Sequence, residues 1–219
     1  PLRWILNTHF HFDHTGGNEI FGKEATIIAH ENVRNRLKTG SSTLGVVSTP
    51  AAVSALPVIT FKDQVSVHFN GEEIRAVHYP HGHTDTDTIV FFTGSKVVHM
   101  GDHYFGGKYP FVDTDSGGSV TGLIANVERV VAEVPADYKV IPGHGDVSTV
   151  ADLKAWAQGL KETRVAVKAG LDKAKTADQL KKEKALAKWD KWGTPFVDSD
   201  KWIDALVKDI QAPAAGAAK

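Results

Sequence analysis

Short apolar runs and apolar-polar alternation dominate the first two thirds of the chain and predict β-strands. The clearest case is the stretch in which Val65, Val67 and Phe69 alternate with polar residues. Asn70-Gly71 follows it as a strong hairpin turn signal. The predicted strands cover residues 2–7, 25–29, 65–69, 74–78, 89–92, 97–100 and 138–141.

Apolar residues recur at helical spacing mainly in the last third of the chain, where no strand pattern remains. Thr176 and Ser199 have the chemistry and position of helix N-caps. The stretch 38–57 is rich in Ser, Thr, Gly and Pro and predicts a surface loop that could cover a functional site. The tail 212–219 consists of small residues and is expected to be disordered. The predicted helices cover residues 18–21, 31–37, 123–134, 150–173, 177–189 and 201–211.

Strands mixed with helices, followed by helices alone, predict a layered α/β domain with helices outside the sheets. With 219 residues, the chain has the length of one large domain. We therefore predict a main domain over residues 1–150, with the helices of residues 151–211 packed on that same domain.

The amino-acid composition restricts the possible partners and metal ligands, and it says less about the fold. Lys plus Arg number 25 and Asp plus Glu number 26, so the formal net charge is −1 and carries no electrostatic signature of a nucleic-acid partner. No apolar run is long enough to span a bilayer, and no membrane partner is expected. The absence of cysteine excludes disulfides, thiolate metal sites and a cysteine nucleophile. A transition-metal site must therefore consist of histidine and carboxylate, and the 11 histidines are clustered.

The densest cluster is Thr8-His9-Phe10-His11-Phe12-Asp13-His14, directly after the first predicted strand. Alternate residues at a strand end project to the same side, so His9 and His11 can share one cation. A following turn can bring Asp13 and His14 toward a second cation, while Phe10 and Phe12 would point into the core. Imidazoles with a carboxylate suit zinc best, and iron and manganese are alternatives.

Three further stretches place a potential ligand just past a predicted strand, beside a glycine that lets the backbone approach closely. They are Pro80-His81-Gly82-His83-Thr84-Asp85, Met100-Gly101-Asp102 and Ile141-Pro142-Gly143-His144-Gly145. Each is a weak signal alone, because an isolated aspartate after glycine is usually a turn residue. Their combination with the dense cluster makes a metal centre the leading interpretation.

In order and approximate spacing, these motifs resemble the metal signature of the metallo-β-lactamase superfamily, over about residues 1–150. The resemblance implies an αββα sandwich with a two-zinc site in a cleft at one edge of the sheets. It implies a first zinc on His9, His11 and His83, and a second on Asp13, His14 and His144. Asp102 matches the bridging carboxylate of the glyoxalase II-like and lactonase-like branches.

Two features depart from the family pattern. Family members have several strands before the histidine-rich motif, whereas this chain starts almost on it, so the fold is expected to be N-terminally incomplete. We expect a partner segment or a second chain to complete that sheet. In addition, Asp102 stands where some true β-lactamases have cysteine or serine. The stretches around Asp102 and His144 resemble periplasmic or secreted hydrolases of the family, which implies that location.

The resemblance implies hydrolysis of a small carbonyl substrate by water activated between two zinc ions. A β-lactam is the first candidate, and a lactone or a thioester is the alternative. Asp13 is expected to orient the attacking water as well as bind metal. His103 and Tyr104 are candidate donors to a substrate oxyanion, with a role as plain wall residues equally open. Asp85 and Asp87 could hold the ligand histidines or simply cap turns.

Other functions remain open at this point. The same scaffold hosts iron-dependent oxidoreductases that use only the first three histidines, but the presence of Asp13, His14 and His144 favours two metals. Nucleases share the motifs, and the neutral charge argues against that activity. A metal-binding module without catalysis is disfavoured by the full ligand set.

Overall fold

The fold is given by a computed structural model that describes residues 1–43 and 45–212. Most of the predicted disordered tail, residues 213–219, lies outside the described residues. The strands are β1 (Trp4–Leu6), β2 (Thr26–His30), β3 (Ser41–Thr43), β4 (Val46–Ser48), β5 (Ile59–Phe61), β6 (Gln64–Phe69), β7 (Glu72–His78), β8 (Thr88–Phe92), β9 (Val97–His99), β10 (Lys139–Ile141) and β11 (Ser148–Thr149). The α-helices are α1 (Phe12–Thr15), α2 (Asn18–Phe21), α3 (Glu31–Thr39), α4 (Val120–Glu133), α5 (Val150–Leu171), α6 (Ala177–Lys182) and α7 (Ser199–Gln211).

Two sheets stack between layers of helices, which is the αββα sandwich implied by the sequence. One sheet has the order β11-β10-β9-β8-β7-β6, and the other is a parallel sheet of order β1-β2-β5. A separate hairpin pairs β3 with β4. The hairpin between β6 and β7 turns at Asn70 and Gly71, which both have positive φ, as the Asn-Gly signal predicts.

Alternating side chains divide the core into layers. Ile28 and Phe61 of the three-stranded sheet meet Ala76 and Val90 of the six-stranded sheet in the space between the sheets. On the outer side of the three-stranded sheet, Val33 of α3 joins a small cluster with Phe10 and Ala29. The largest cluster lies on the other face of the six-stranded sheet, where α4, α5 and α7 pack.

The helices after residue 150 share this largest cluster with the strands. Trp202 of α7 is fully buried and donates its indole N–H to Thr163 of α5. Asp209 of α7 accepts hydrogen bonds from the Ser119 hydroxyl and from the backbone N–H and hydroxyl of Thr121, at the start of α4. The C-terminal helices and the sheet therefore form one continuous core. Within residues 1–43 and 45–212, none of the helices has both the length and the apolar character needed to cross a bilayer.

Several predicted elements differ in detail from the structure. The predicted loop 38–57 contains the β3–β4 hairpin and a 3-10 helix over Val53–Ala55. β5 was not predicted, because a strand of this length depends on its pairing with β2. The predicted helix 177–189 ends at Lys182, since Lys184 adopts positive φ. Thr176 is the N-cap of α6, as predicted, but the cap of α7 is Asp198 and not Ser199.

The three-stranded sheet covers the larger sheet incompletely. β1 is an edge strand whose described neighbour is β2. On the inner face of the six-stranded sheet, Val65, Val67, Ile74 and Phe92 are only partly buried. The expectation that another segment or chain completes this side of the sandwich stays a prediction.

Two stacked imidazoles join the sheets and should make stability depend on pH. The rings of His30 at the end of β2 and His78 at the end of β7 lie 3.7 Å apart at an interplanar angle of 13°. Nδ1 of His30 accepts the backbone N–H of Asn32 and thereby caps α3, which requires this nitrogen to be unprotonated. Burial, followed by the charge of a protonated His78, lowers the pKa of His30 to about 4.

We expect the free energy of unfolding to fall as the pH drops from about 6.5 toward 4, because the unfolded chain takes up this proton first. His30→Asn keeps a good N-cap residue and removes the titration, so its stability should decline less steeply over this range. Urea unfolding at several pH values measures the difference, and His68→Asn on an exposed strand position is the control. Parallel curves for the wild type and His30→Asn would contradict the assignment.

Candidate metal centre

The predicted ligands converge at one edge of the sandwich, where several strands end. His9 and His11 lie between β1 and α1, and Asp13 and His14 lie in α1. His83 follows β7, Asp102 lies in the 3-10 helix Gly101–His103 after β9, and His144 follows β10. Three overlapping groups bring ligand atoms within 4.8 Å of one another: His9, His11 and His83; His9, His14 and Asp102; and Asp13, His14 and His144.

The first group consists of three buried histidines whose ring nitrogens point at one another. Nε2 of His83 lies 2.9 Å from Nδ1 of His11. The other nitrogen of each ring has a partner that fixes its proton. Nδ1 of His83 donates to the carbonyl of Phe111 at 2.8 Å, and Nε2 of His11 donates to Asp113 at 3.0 Å.

These partners assign the tautomers and leave two lone pairs facing each other. Two neutral imidazole lone pairs at 2.9 Å repel, unless a cation lies where they converge. Nε2 of His9 is buried, has no hydrogen-bond partner among residues 1–43 and 45–212, and points into the same group. Three neutral imidazole nitrogens around one point form a donor set that fits zinc.

The group of Asp13, His14 and His144, hereafter the second ligand group, lies on the solvent side of the first. Oδ2 of Asp13 is 3.3 Å from Nε2 of both His14 and His144. Asp102 stands between the groups, with Oδ1 at 3.1 Å from Nε2 of His14 and Oδ2 at 3.3 Å from Nε2 of His144. The same Oδ2 is 3.5 Å from Nε2 of His83. Asp102 can therefore contact ions in both groups, as a bridging carboxylate does.

Burial and neighbouring groups keep His9, His83 and Asp102 in the protonation states that metal ligands need. Burial lowers the pKa of His83 to about 4, and burial together with His83 holds the pKa of His9 well below its usual value. Burial acts to raise the pKa of Asp102, but the imidazoles of His14 and His144 outweigh it and hold this pKa well below its usual value. His9 and His83 are thus held as neutral imidazoles beside the ionised carboxylate of Asp102.

The residues that orient the ligand histidines were missed by the sequence analysis. Asp113 and the carbonyl of Phe111 hold His11 and His83, respectively. Asp85 instead pairs with Arg36, and Asp87 accepts hydrogen bonds from Thr84 within its own turn. Turn capping is therefore supported for Asp87, whereas the ion pair of Asp85 is neither of the two roles considered. No local signal marks Asp113, because it reaches His11 across a separation of 102 residues.

Replacing Asp113 with asparagine should weaken zinc binding by about 10- to 100-fold, because the carboxylate orients the His11 ring and increases its basicity. Asparagine can still accept the backbone N–H of Ser116, which Asp113 caps in the structure. A competition titration with a chromogenic chelator measures the affinity. Asp115→Asn, at an exposed position of the same turn, is the matched control. Equal zinc affinities for Asp113→Asn and Asp115→Asn would show that Asp113 does not support the metal site.

Gly143 approaches the bridging carboxylate so closely that a side chain has no room. A Cβ at this position would lie 1.9 Å from Oδ1 of Asp102 and 2.8 Å from the carbonyl of Gly101. Gly143→Ala should therefore cost about 1–3 kcal/mol of stability through overpacking and should displace Asp102. Thermal unfolding and zinc stoichiometry measure the two effects.

The control for this substitution is Gly17→Ala, where the backbone is helical and the added methyl group would meet only the movable ring of Phe21. Wild-type stability and zinc content in Gly143→Ala would contradict the close approach.

His103 and Tyr104 lie behind the metal centre and do not line the cleft in front of it. His103 is buried under Gly82, and its Nε2 is 3.1 Å from Nδ2 of Asn126. The Tyr104 hydroxyl accepts a hydrogen bond from Ser148, and its ring packs on Trp156. The interpretation of these residues as substrate-oxyanion donors is therefore corrected, since the chain turns them into the core after Asp102.

A cleft of about 960 Å³ opens in front of the second ligand group and is bordered by Asp13, Asp102 and His144. The predicted loop 38–57 lines it, as does Phe12. Phe10 is buried as predicted, but Phe12 is exposed, so its predicted inward orientation is wrong. The reason is that β1 ends at Leu6 and the chain enters α1 at Phe12, which breaks the strand alternation.

Comparison with known proteins places these motifs in a family context. A family model described as the metallo-beta-lactamase superfamily matches residues 1–144. An uncharacterized protein of Aquifex aeolicus is 27% identical over 159 residues, which cover 69% of this chain and 72% of the relative. A hydroxyacylglutathione hydrolase of Polaromonas sp. is 31% identical over 150 residues, covering 64% of this chain. The matched part spans 47% of that relative, about half its length.

Solved structures agree on the fold. A metallo-beta-lactamase from Pontibacter korlensis superposes with a TM-score of 0.60 at 17% identity, over 74% of this chain and 70% of the other. At this level of identity, the likeness concerns the sandwich architecture alone.

Proposed function

The chain belongs to the metallo-beta-lactamase superfamily, and on that premise we propose that it is a hydrolase that uses two zinc ions to cleave a small carbonyl substrate. The observation that carries the proposal is the convergence of the His11 and His83 lone pairs, with Asp102 standing between that point and the second ligand group. A purely structural cluster would pair these nitrogens with hydrogen-bond partners instead.

Two zinc ions would supply a hydroxide at neutral pH and a Lewis acid for the substrate carbonyl. His9, His11 and His83 would hold the first ion, and Asp13, His14 and His144 the second, with Asp102 contacting both. The side chain of Asp13 is 57% exposed and faces the cleft, so its carboxylate can accept a proton from the attacking water. Asp113 and Phe111 would keep the His11 and His83 rings in the tautomers that bind metal.

Among carbonyl substrates, we place thioesters first. Two hydroxyacylglutathione hydrolases, at 29% and 31% identity, are among the relatives. The bridging position is an aspartate, as the glyoxalase II-like resemblance implied. β-Lactams, which the sequence resemblance placed first, stay the second candidate, because the similar metallo-beta-lactamase structures support only the fold. A lactone is the third. A periplasmic or secreted location stays a prediction.

The deciding experiment compares a hydroxyacylglutathione thioester, a chromogenic cephalosporin and a lactone as substrates of the zinc-loaded protein, with metal content measured on the same sample. We expect thioester hydrolysis that is lost on chelation and restored by zinc. Cephalosporin turnover alone would reverse the ranking of substrates. No turnover of any substrate with two zinc ions bound would contradict the hydrolase proposal, and iron binding with oxygen uptake would favour the redox alternative.

A further inference from the structure

Large exposed apolar side chains collect around the cleft from three separate parts of the chain. Phe12 of α1 is 84% exposed, and Val46 and Val47 of β4 are 73% and 76% exposed. Phe196, which precedes α7, is 52% exposed and lies on the same cleft. Exposed apolar side chains scattered singly need no explanation, but a contiguous group around a concave site indicates a surface that binds an apolar group.

The two sides of this apolar surface are built differently. Val46 and Val47 extend from the β3–β4 hairpin, which pairs with no other strand in the part of the chain that the structure describes. Phe196 packs on the ring of Phe111, whose backbone carbonyl holds His83. The wall formed by Phe196 is therefore directly connected to the metal centre. Phe196 also lies outside the segment matched by the family model, so this wall is a property of the C-terminal part of the chain.

Lys108 adds a charge to this surface. Among the described residues that line the cleft it is the one with a cationic side chain. Its backbone is fixed by hydrogen bonds from the Trp156 indole to its carbonyl and from its own N–H to Phe105. The cleft thus combines an exposed lysine on a fixed backbone, the ligand groups and a long apolar rim, which together complement an amphiphilic anion.

On the basis of the proposed hydrolase function, we propose that the cleft selects substrates with an extended apolar acyl chain on one side of the scissile carbonyl and an anionic group on the leaving-group side. The acyl chain would lie between Val46, Val47 and Phe196, and the anionic group would approach Lys108. Each methylene that leaves water for an apolar wall strengthens binding by about fourfold. Selectivity should therefore rise with chain length until the cleft is filled.

A series of S-acyl derivatives of 5-thio-2-nitrobenzoate provides suitable probes, because each carries a carboxylate and releases a coloured thiolate. In each turnover, the oxygen of water bonds to the acyl carbon and the carbon–sulfur bond breaks. The thiolate leaves with the electron pair, and the carboxylate and two protons are released. We expect kcat/KM for the octanoyl compound to exceed that for the acetyl compound by more than about 30-fold.

The double variant Val46→Ser/Val47→Ser should lower this octanoyl-to-acetyl ratio by about tenfold. The matched control is Val58→Ser/Val165→Ser, which changes two equally exposed valines away from the cleft and should keep the ratio. Lys108→Gln should raise KM for the carboxylated thioesters more than for the same acyl groups on an uncharged thiol. Equal ratios in the wild type and the cleft variant would overturn the proposal.

Binding of the product-like fatty acids separates this inference from the hydrolase function. Calorimetry of the zinc-loaded protein should give tighter binding for octanoate than for butyrate, and the cleft variant should lose the difference. Such binding without thioester cleavage would support the cleft assignment and reject the thioesterase function. Thioester cleavage that is independent of chain length would support the thioesterase function and reject the cleft assignment.

The competing occupant of the apolar rim is a second copy of the chain, and sedimentation velocity distinguishes it. A dimer that dissociates in Val46→Ser/Val47→Ser, with no change in chain-length selectivity, would overturn the proposal in favour of a subunit interface. If the wild type and the variant have the same association state and the variant loses chain-length selectivity, the result supports the acyl-chain site.

Discussion

Replacing Asp102 with asparagine should reduce kcat/KM by about 10³-fold or more, because the variant keeps the shape of the side chain and removes the charge shared by both ligand groups. Asp102 is 95% buried and lies within 3.9 Å of ring nitrogens from His9, His14, His83 and His144. An amide in this position cannot offset the charge of two adjacent cations. If the proposed two-zinc site is right, zinc content should also fall from two ions per chain toward one.

Asp87 offers a matched control for this substitution, since it is another buried carboxyl group in this region. Burial raises its pKa to about 8, so Asp87 is largely protonated at neutral pH. An asparagine there can accept the backbone N–H of Thr84 and donate to its hydroxyl oxygen, at the positions of the two carboxyl oxygens. Asp87→Asn should thus retain both zinc ions and most activity. Equal zinc loss in both variants would mean that Asp102 acts only as a packed core residue.

The second large effect is expected for Asp13→Ala, which should lower kcat by about 10²-fold even at saturating zinc. The Asp13 carboxylate contacts His14 and His144 on one side and faces the cleft on the other. Removing it deletes a metal ligand and also the group that can take a proton from the attacking water. Measuring kcat against zinc concentration separates the two losses.

Asp146→Ala is the control for Asp13, because it removes an exposed carboxylate close along the chain to His144 that does not line the cleft. Its activity should stay near that of the wild type. If added zinc restored full turnover to Asp13→Ala, the residue would be a metal ligand alone, and the proton-accepting role would be excluded.

Much of the metal centre was readable from the sequence because its ligands are dense and lie at strand ends. His9, His11, Asp13 and His14 are confined to six consecutive residues, and each remaining ligand has an adjacent glycine. The absence of cysteine excluded thiolate ligands, and the resemblance to the metallo-β-lactamase superfamily implied the sandwich. The apolar alternation likewise located most strands and the Asn70-Gly71 turn, because these features depend on neighbours in the chain.

The groups that orient the ligand side chains could not be predicted from local sequence patterns. Asp113 meets His11, and Phe111 meets His83, only after the sheets have formed. His103 and Tyr104 looked suitable for the cleft from their position beside Asp102, but the 3-10 helix rotates both into the core. Phe12 appeared to be a core residue by strand alternation and became an exposed wall residue once the chain entered α1.

By itself, the sequence determined which residues could bind metal, that the ligands would be nitrogen and oxygen, and that strands would deliver them. Tertiary structure alone decided which nitrogen of each ring faces the metal, which carboxylate lies between the groups, and which side chains border the cleft. The physical reason is that these properties depend on contacts between residues distant in the chain, such as Gly143 against Asp102 and Phe196 against Phe111. Local pattern predicts elements and candidate ligands, whereas only packing fixes tautomers, orientation and the shape of the cleft.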